Sequence, residues 1–256
     1  MQLIASRASA PGGLIEGLAV LRMAAPLQRP LVAESRISVG VRLAGLAQQW
    51  RSDGWQALPR FTLTGVHCTS RTIHTSAGGV LVLAHLHPAA AACLGVDACQ
   101  MVERSCELSM LWPAQDLVDL GDRLAAAPDD AMRMAMLETE VASRIDAGPV
   151  VDPLAVAAAD RIRADPAEVR IAELAAALGV SIDTLARRFT ASVGVSPKRF
   201  ARAARLRSAV LSYAADVTLT DVALGAGYYD QSHFVREMQR ATGLAPASLL
   251  PAGGYC

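Results

Sequence analysis

Apolar positions recur twice with one plan in the last third of the chain. In "IAELAAALGVSIDTLARRFTASVGVSP" (171–197), Ile171, Leu174, Ala175 and Leu178 have helical spacing. Gly179 stops that helix and Ser181 caps the next, whose apolar face is Leu185, Phe189 and Val193 up to Gly194. In "DVALGAGYYDQSHFVREMQRATGLAP" (221–246), Val222, Ala223 and Ala226, preceded by Leu219, lead to Gly227. Asp230 then caps a helix with Phe234, Met238 and Ala241 on one side, ending at Gly243. Each copy predicts helix, glycine turn, helix. At roughly 100° per residue, Asp183, Arg187 and Thr190 point away from the core in the first copy, and Ser232, Arg236 and Gln239 in the second.

Such a hairpin is a helix-turn-helix, in which the second helix lies in the DNA major groove and the first braces it. Arginine suits guanine O6 and N7, and glutamine suits adenine. Base contacts are therefore expected from Asp183, Ala186 and Arg187 in the first motif and from Gln231, Ser232, His233 and Arg236 in the second. Between the copies, "SPKRFARAARLRSAVLSYAAD" (196–216) has Ser196 as cap and Pro197 at the first helical position. Roughly 17 helical residues at 1.5 Å each give about 25 Å, which with the flanking helices suits two reading helices about 34 Å apart, one duplex turn. From Thr184 to Ala215 the basic residues are Arg187, Arg188, Lys198, Arg199, Arg202, Arg205 and Arg207, with no acidic one. Thr184, Lys198 and Arg199 are the expected phosphate contacts, which position rather than specify. No catalytic residue is predicted: Ser232 and His233 are adjacent on a helix and diverge, so with Asp230 they do not make a nucleophile, base and orienting group.

Toward the N-terminus the pattern changes to alternation. "RPLVAESRISVGVRLAGLA" (29–47) and the apolar run 80–86 predict strands, and the rest of 80–96 a helix. Residues 114–145 predict two helices, with Pro128 beginning the second, and "DAGPVVDP" (146–153) predicts a joint. The expected division is a β-rich sensory or dimerisation domain over 1–150, ending in helices, and an all-α DNA-binding domain over 153–256, an α+β chain overall.

Composition narrows the function classes. The chain has 256 residues, 52% hydrophobic and 4% aromatic, which describes a globular protein rather than a disordered one. Net charge is zero, but residues 1–159 carry 12 basic and 15 acidic side chains while 160–256 carry 12 and 9. The run 80–96 is broken by His85, His87 and Pro88, which argues against a membrane span. The start "MQLIASRASAPGGL" lacks the marks of a signal peptide, so a cytoplasmic protein is expected. Cys68, Cys93, Cys99, Cys106 and Cys256 contain no C-x-x-C pair, which predicts reduced thiols. "HLH" at 85–87 sets two imidazoles on one side of a strand, as a cupin-like metal enzyme would, but no Glu follows nearby; no metal and no cofactor is predicted. A helical interaction protein that ignores DNA is the other alternative, and the outward Arg187 and Arg236 argue against it.

The segments "VALGAGYYDQSHFVREMQRATGLAP", "SPKRFARAARLRSA" and "IAELAAALGVSIDTLARRF" resemble the AraC/XylS family of transcription regulators over about residues 153–250. The resemblance implies a seven-helix domain with two motifs that acts on double-stranded promoter DNA. Its partners could include RNA polymerase, a small-molecule effector and a second copy of the chain. Met238 stands where the family usually has phenylalanine, Gln239 where lysine is common, and "ASLL" (247–250) lacks the usual tyrosine and arginine. "LPRFTLTGVHCTSRTIHTSAGGVLVLAHLHPAAAACLGV" resembles the N-terminal domain of a subgroup of these regulators, which implies a small β-barrel-like, cupin-like sensory fold.

Overall fold

The structure, a computed structural model, describes residues 2–8, 13–213, 217–244 and 246. The readings that fall on 9–12, on 214–216, on "ASLL" and on Cys256 lie outside the described residues.

Among the described residues ten strands form two sheets. A six-stranded antiparallel sheet has the order β1 (Gln2–Ala8), β2 (Ile15–Met23), β9 (Gly79–Leu86), β4 (Ile37–Ala44), β7 (Phe61–Thr64), β10 (Ser105–Glu107). A second sheet has the order β3 (Leu27–Leu31), β8 (Arg71–Thr75), β5 (Ala47–Arg51), β6 (Gly54–Ala57). Alternation decides which way each side chain faces. On β4, Ile37, Val39 and Val41 are buried in the core while Ser38, Gly40 and Arg42 line a slot between the sheets. On β9, Val82, Ala84 and Leu86 face the core, and Leu81, Leu83 and His85 line the slot. Each fully buried Val or Leu contributes about 1.5–3 kcal/mol, so a one-residue slip would invert both faces at once.

The core face of the larger sheet is covered by α2 (Ala114–Ala126) and α3 (Asp130–Asp146). Pro128 does not begin α3. Asp129 is the cap, accepting from the Met132 amide at 2.7 Å, and the proline stands just outside it. After β9 the chain forms a 3-10 helix, Pro88–Leu94, and then the short α1 (Ala98–Met101).

The helical half comprises α4 (Pro153–Ala164), α5 (Ile171–Ala177), α6 (Ile182–Val193), α7 (Pro197–Leu211), α8 (Leu219–Gly225) and α9 (Gln231–Thr242). The joining helix α7 has 15 residues, about 22 Å, shorter than the sequence predicted. Ser212 is its C-cap, with the hydroxyl donating to the Ala209 carbonyl at 3.0 Å. α4 and α6 pack on the 3-10 helix, and α6 also packs on α1. Gly194, at φ +88°, caps α6 where a Cβ would lie 2.3 Å from the Ala98 carbonyl oxygen, so only glycine allows this approach. One buried cluster runs through both halves, from Leu18 on β2 to Met238 on α9.

Candidate nucleic-acid interface and effector slot

The two motifs are built by the same local chemistry. Ser181 accepts from the Thr184 amide at the start of α6, and Asp230 accepts from the His233 amide at the start of α9. Both helices end in left-handed glycines, Gly194 and Gly243, and the turns before them use left-handed Gly179 and Gly227. Leu185, Phe189 and Val193 are buried in the first motif, and Phe234 and Met238 in the second.

Asp183 and Arg187 are exposed on α6, with Ala186 and Thr184 half-buried beside them. Gln231, Ser232 and Arg236 are exposed on α9, and His233 is half-buried, its ring edge-on to Tyr228 with centroids 5.3 Å apart. Gln231 is pre-oriented, because its Oε1 accepts from the Thr220 hydroxyl of α8 at 2.8 Å. Tyr229, 88% exposed just before the Asp230 cap, is an additional aromatic that helix periodicity did not single out, because it lies in the turn.

The basic run, one-signed in sequence, is largely engaged in the fold. Arg188 pairs with Asp152 (Nε to Oδ2 2.7 Å), Arg202 with Glu237 (3.0 Å) and Arg199 with Glu103 (2.9 Å). Arg205 donates to the carbonyls of Pro166 and Ala167, and Arg207 pairs with Glu34 at 3.1 Å. Of the seven, Arg187 and Lys198 alone make no hydrogen bond or ion pair among the described residues. Charge counting along the chain sees sign but not partners. The carboxylates that answer these arginines come from 34, 103, 152 and 237, three of them outside the run's own half.

Glu103 is held for its part. It has a left-handed backbone (φ +57°), and its carboxylate accepts from the Cys68 amide at 2.9 Å and the Thr69 hydroxyl at 2.8 Å as well as from Arg199. One residue further along the same loop, Ser70 donates its amide to the Ala241 carbonyl and its hydroxyl to the Thr242 carbonyl at the end of α9.

Between the sheets lies a cavity of about 490 Å³. One end holds Glu34, Arg36, Ser38, Arg71, His85 and Arg207, the last contributed by α7 together with Val210 and Leu211. Backbone pairing with His67 fixes Glu34, which bonds Arg36 at 3.0 Å. Burial pushes the Glu34 carboxyl upward, but Arg36 and Arg207 together outweigh that and hold it below its ordinary range. Burial also pushes Arg71 down to about 10, and this guanidinium reaches only the Ser105 hydroxyl at 3.3 Å, with no ion pair among the described residues. Sequence reasoning missed this site. The one available signal was the polar series Arg36, Ser38, Gly40, Arg42 alternating with Ile37, Val39 and Val41.

"HLH" does not form a pair of ligands. His85 lies in β9, lines the slot and hydrogen-bonds Ser38 at 2.9 Å; β9 ends at Leu86, and His87 instead caps the 3-10 helix. Burial depresses both rings to about 4, so both are neutral near pH 7. His87 meets Glu16 and Asp160, with ligand atoms within 4.8 Å of one another. Arg163 already bridges those carboxylates at 2.6 and 2.7 Å. The His87 Nδ1 accepts from the Ala89 amide, so its proton sits on Nε2, the atom a metal would need. This is an ion-pair network joining β2 to α4. Cys68 and Cys93 are buried, Cys106 is half-buried and Cys99 exposed, all as free thiols. No helix of the described residues is long and apolar enough to cross a membrane.

Residues 174–251 match the family described as a helix-turn-helix domain. No curated protein matches the sequence. Among solved structures, unsaturated fatty acid-bound wild-type ToxT from Vibrio cholerae aligns over 93% of this chain and 96% of its own, at 12% identity and a TM-score of 0.50. An apo single-site variant of ToxT aligns over 95% and 98%, at 12% identity and a TM-score of 0.51. A probable AraC family transcriptional regulator from Rhodopseudomonas palustris aligns over 39% of this chain at 28% identity, with a TM-score of 0.34. The fold is therefore that of ToxT, a β-rich region followed by helices, and residues 174–251 are an AraC-type helix-turn-helix domain. A helix-turn-helix domain is a DNA-binding unit.

Proposed function

We propose that this chain, whose AraC-type helix-turn-helix domain is the premise, sets α6 and α9 into successive major grooves of promoter DNA under the control of an effector held between its two sheets. Residues 1–150 sense and 153–256 read. Asp183, Ala186 and Arg187 face bases from the first motif, and Gln231, Ser232, His233 and Arg236 from the second; Thr184, Lys198 and Arg199 meet phosphates. The observation that carries this is the equivalence of Arg187 and Arg236, each exposed at the same outward position of a helix capped in the same way. Promoter binding puts the protein in the cytoplasm. Contact with RNA polymerase and pairing with a second copy belong to this reading through the family resemblance.

The effector is an amphipathic carboxylic acid. ToxT is described in complex with an unsaturated fatty acid and with a naphthalenyl butenoic acid. In this chain the arginine-rich end of the slot, followed by Leu21, Leu27, Leu81 and Leu83, suits the same chemistry. Arg207 is on the helix that joins the motifs, which gives an acid bound there a route to both.

Selection of sites from random duplexes, followed by footprinting, tests the reading. On a selected site, log affinity should fall linearly with log salt. Lys198 is unengaged among the described residues and Arg199 and Arg202 are half-exposed, so a slope equivalent to about three phosphates from this run is expected. A flat response would remove DNA binding from the account.

Arg199 can meet a phosphate only by leaving Glu103. Glu103→Gln is therefore expected to raise affinity for a selected site by up to about fivefold, the scale of one exposed ion pair. Unchanged or weaker binding would mean that Arg199 has no phosphate to reach.

A further inference from the structure

The slot carries more positive charge than one acid can answer. Arg36, Arg42, Arg71 and Arg207 line it, and among the described lining residues Glu34 supplies the one carboxylate. His85 adds no charge, because burial keeps it neutral. Glu34 engages Arg36 and Arg207. Arg71 and Arg42 make no ion pair among the described residues: Arg71 reaches the Ser105 hydroxyl, and Arg42 the Leu58 carbonyl at 2.7 Å. Holding a guanidinium away from water without a counter-charge is costly; burial lowers the pKa of Arg71 to about 10 and that of the half-buried Arg42 also falls.

Strand register sets them at opposite ends. Ser105 pairs across with Thr64, and Thr64 with Ser38, so Arg71 reaches the slot at the level of Ser38. Arg42 lies four residues further along β4 on the same face, about 13 Å at 3.3 Å per residue. Between them the lining is mostly apolar or small, Ala19, Gly40, Ile73, Leu81 and Leu83, with Thr62 across from Gly40 and Arg29 across from Ile73. A Cβ on Gly40 would meet the Leu83 side chain at 3.2 Å, so the middle of the slot has no room to spare for another side chain.

Resting on the effector reading above, we infer that the slot takes an elongated dianion: an α,ω-dicarboxylic acid with an apolar middle, one carboxylate on Arg71 and the other on Arg42. Arg71, with the neighbouring Arg36 and Arg207, receives the end nearest α7. Arg42, beside Leu58 and Pro59, receives the far end and selects against molecules that have only a methyl group there.

Calorimetric titration of the full chain with dodecanedioic acid, its monomethyl ester and dodecanoic acid tests this. The three differ little in length and differ in charge. The diacid is expected to bind about tenfold or more tightly than either monoacid, the factor for one charge-assisted bond. Arg42→Gln should bring the diacid down to the level of the ester and leave the two monoacids unchanged. Arg71→Gln should weaken all three. If the monoacids bind as well as the diacid in the unmodified chain, the second acid site is wrong and the effector reading stands. If none of the three binds, both fall.

Discussion

Alanine at both Arg187 and Arg236 is expected to weaken binding to a selected site by about 2–6 kcal/mol, at about 1–3 kcal/mol for each bidentate contact to guanine. The two sites lie in separate motifs, so their effects should add. Each single variant should relax preference at one base-pair position, and the two positions should fall about 10 base pairs apart. Lys198→Ala should instead weaken all sequences alike, as a phosphate contact does. Inserting five base pairs between the half-elements rotates one groove to the far side of the duplex and should abolish two-motif binding. Retention of full preference by either arginine variant, with binding indifferent to the insertion, would leave one motif idle and remove the two-groove model.

Phe189→Ala is expected to cost about 3–5 kcal/mol of stability. Phe189 is fully buried and meets the equally buried Phe200 edge-on, with centroids 5.4 Å apart. This pair ties α6 to α7, and α6 packs in turn on α1 and the 3-10 helix. The cavity left by the ring opens where the first motif, the joining helix and the N-terminal half meet. Urea unfolding of the full chain measures the loss. A change below about 1 kcal/mol would mean that the surrounding helices collapse into the space, against the close packing expected of such a core.

The helical half was legible almost to the residue because its signals are local. Ser181, Asp230, Gly194 and Gly243 each act within one helical turn, and the caps and left-handed glycines stand where the sequence predicts them. The slot was not legible, since it depends on pairing between strands far apart in the chain. Nothing near Arg71 in sequence shows that Ser105 will be its neighbour, or that Arg42 will share a wall with Leu58. The partners of the basic run were not legible for the same reason. Arg207 stands near Arg205 and Arg202 in sequence, yet its helical phase turns it inward to Glu34, 173 positions away. His87 shows the reverse error: strand alternation extended one residue too far, past the point where Pro88 starts a new element.

The helical half is attached to the strand-rich half at several separated points: α6 through Gly194 against Ala98, α7 through Glu103 and Glu34, and α9 through the two hydrogen bonds from Ser70. If these contacts keep α6 and α9 at a fixed distance and angle on DNA, the duplex has to conform to the protein. Bending a site of this size smoothly by 40–90° costs about 1–6 kcal/mol, and the cost depends on which steps are bent. Base pairs between the two half-elements, which no side chain touches, then affect affinity through their stiffness. Flexible pyrimidine–purine steps there would favour binding and A-tracts would oppose it, so the protein's preference would extend over bases it never contacts.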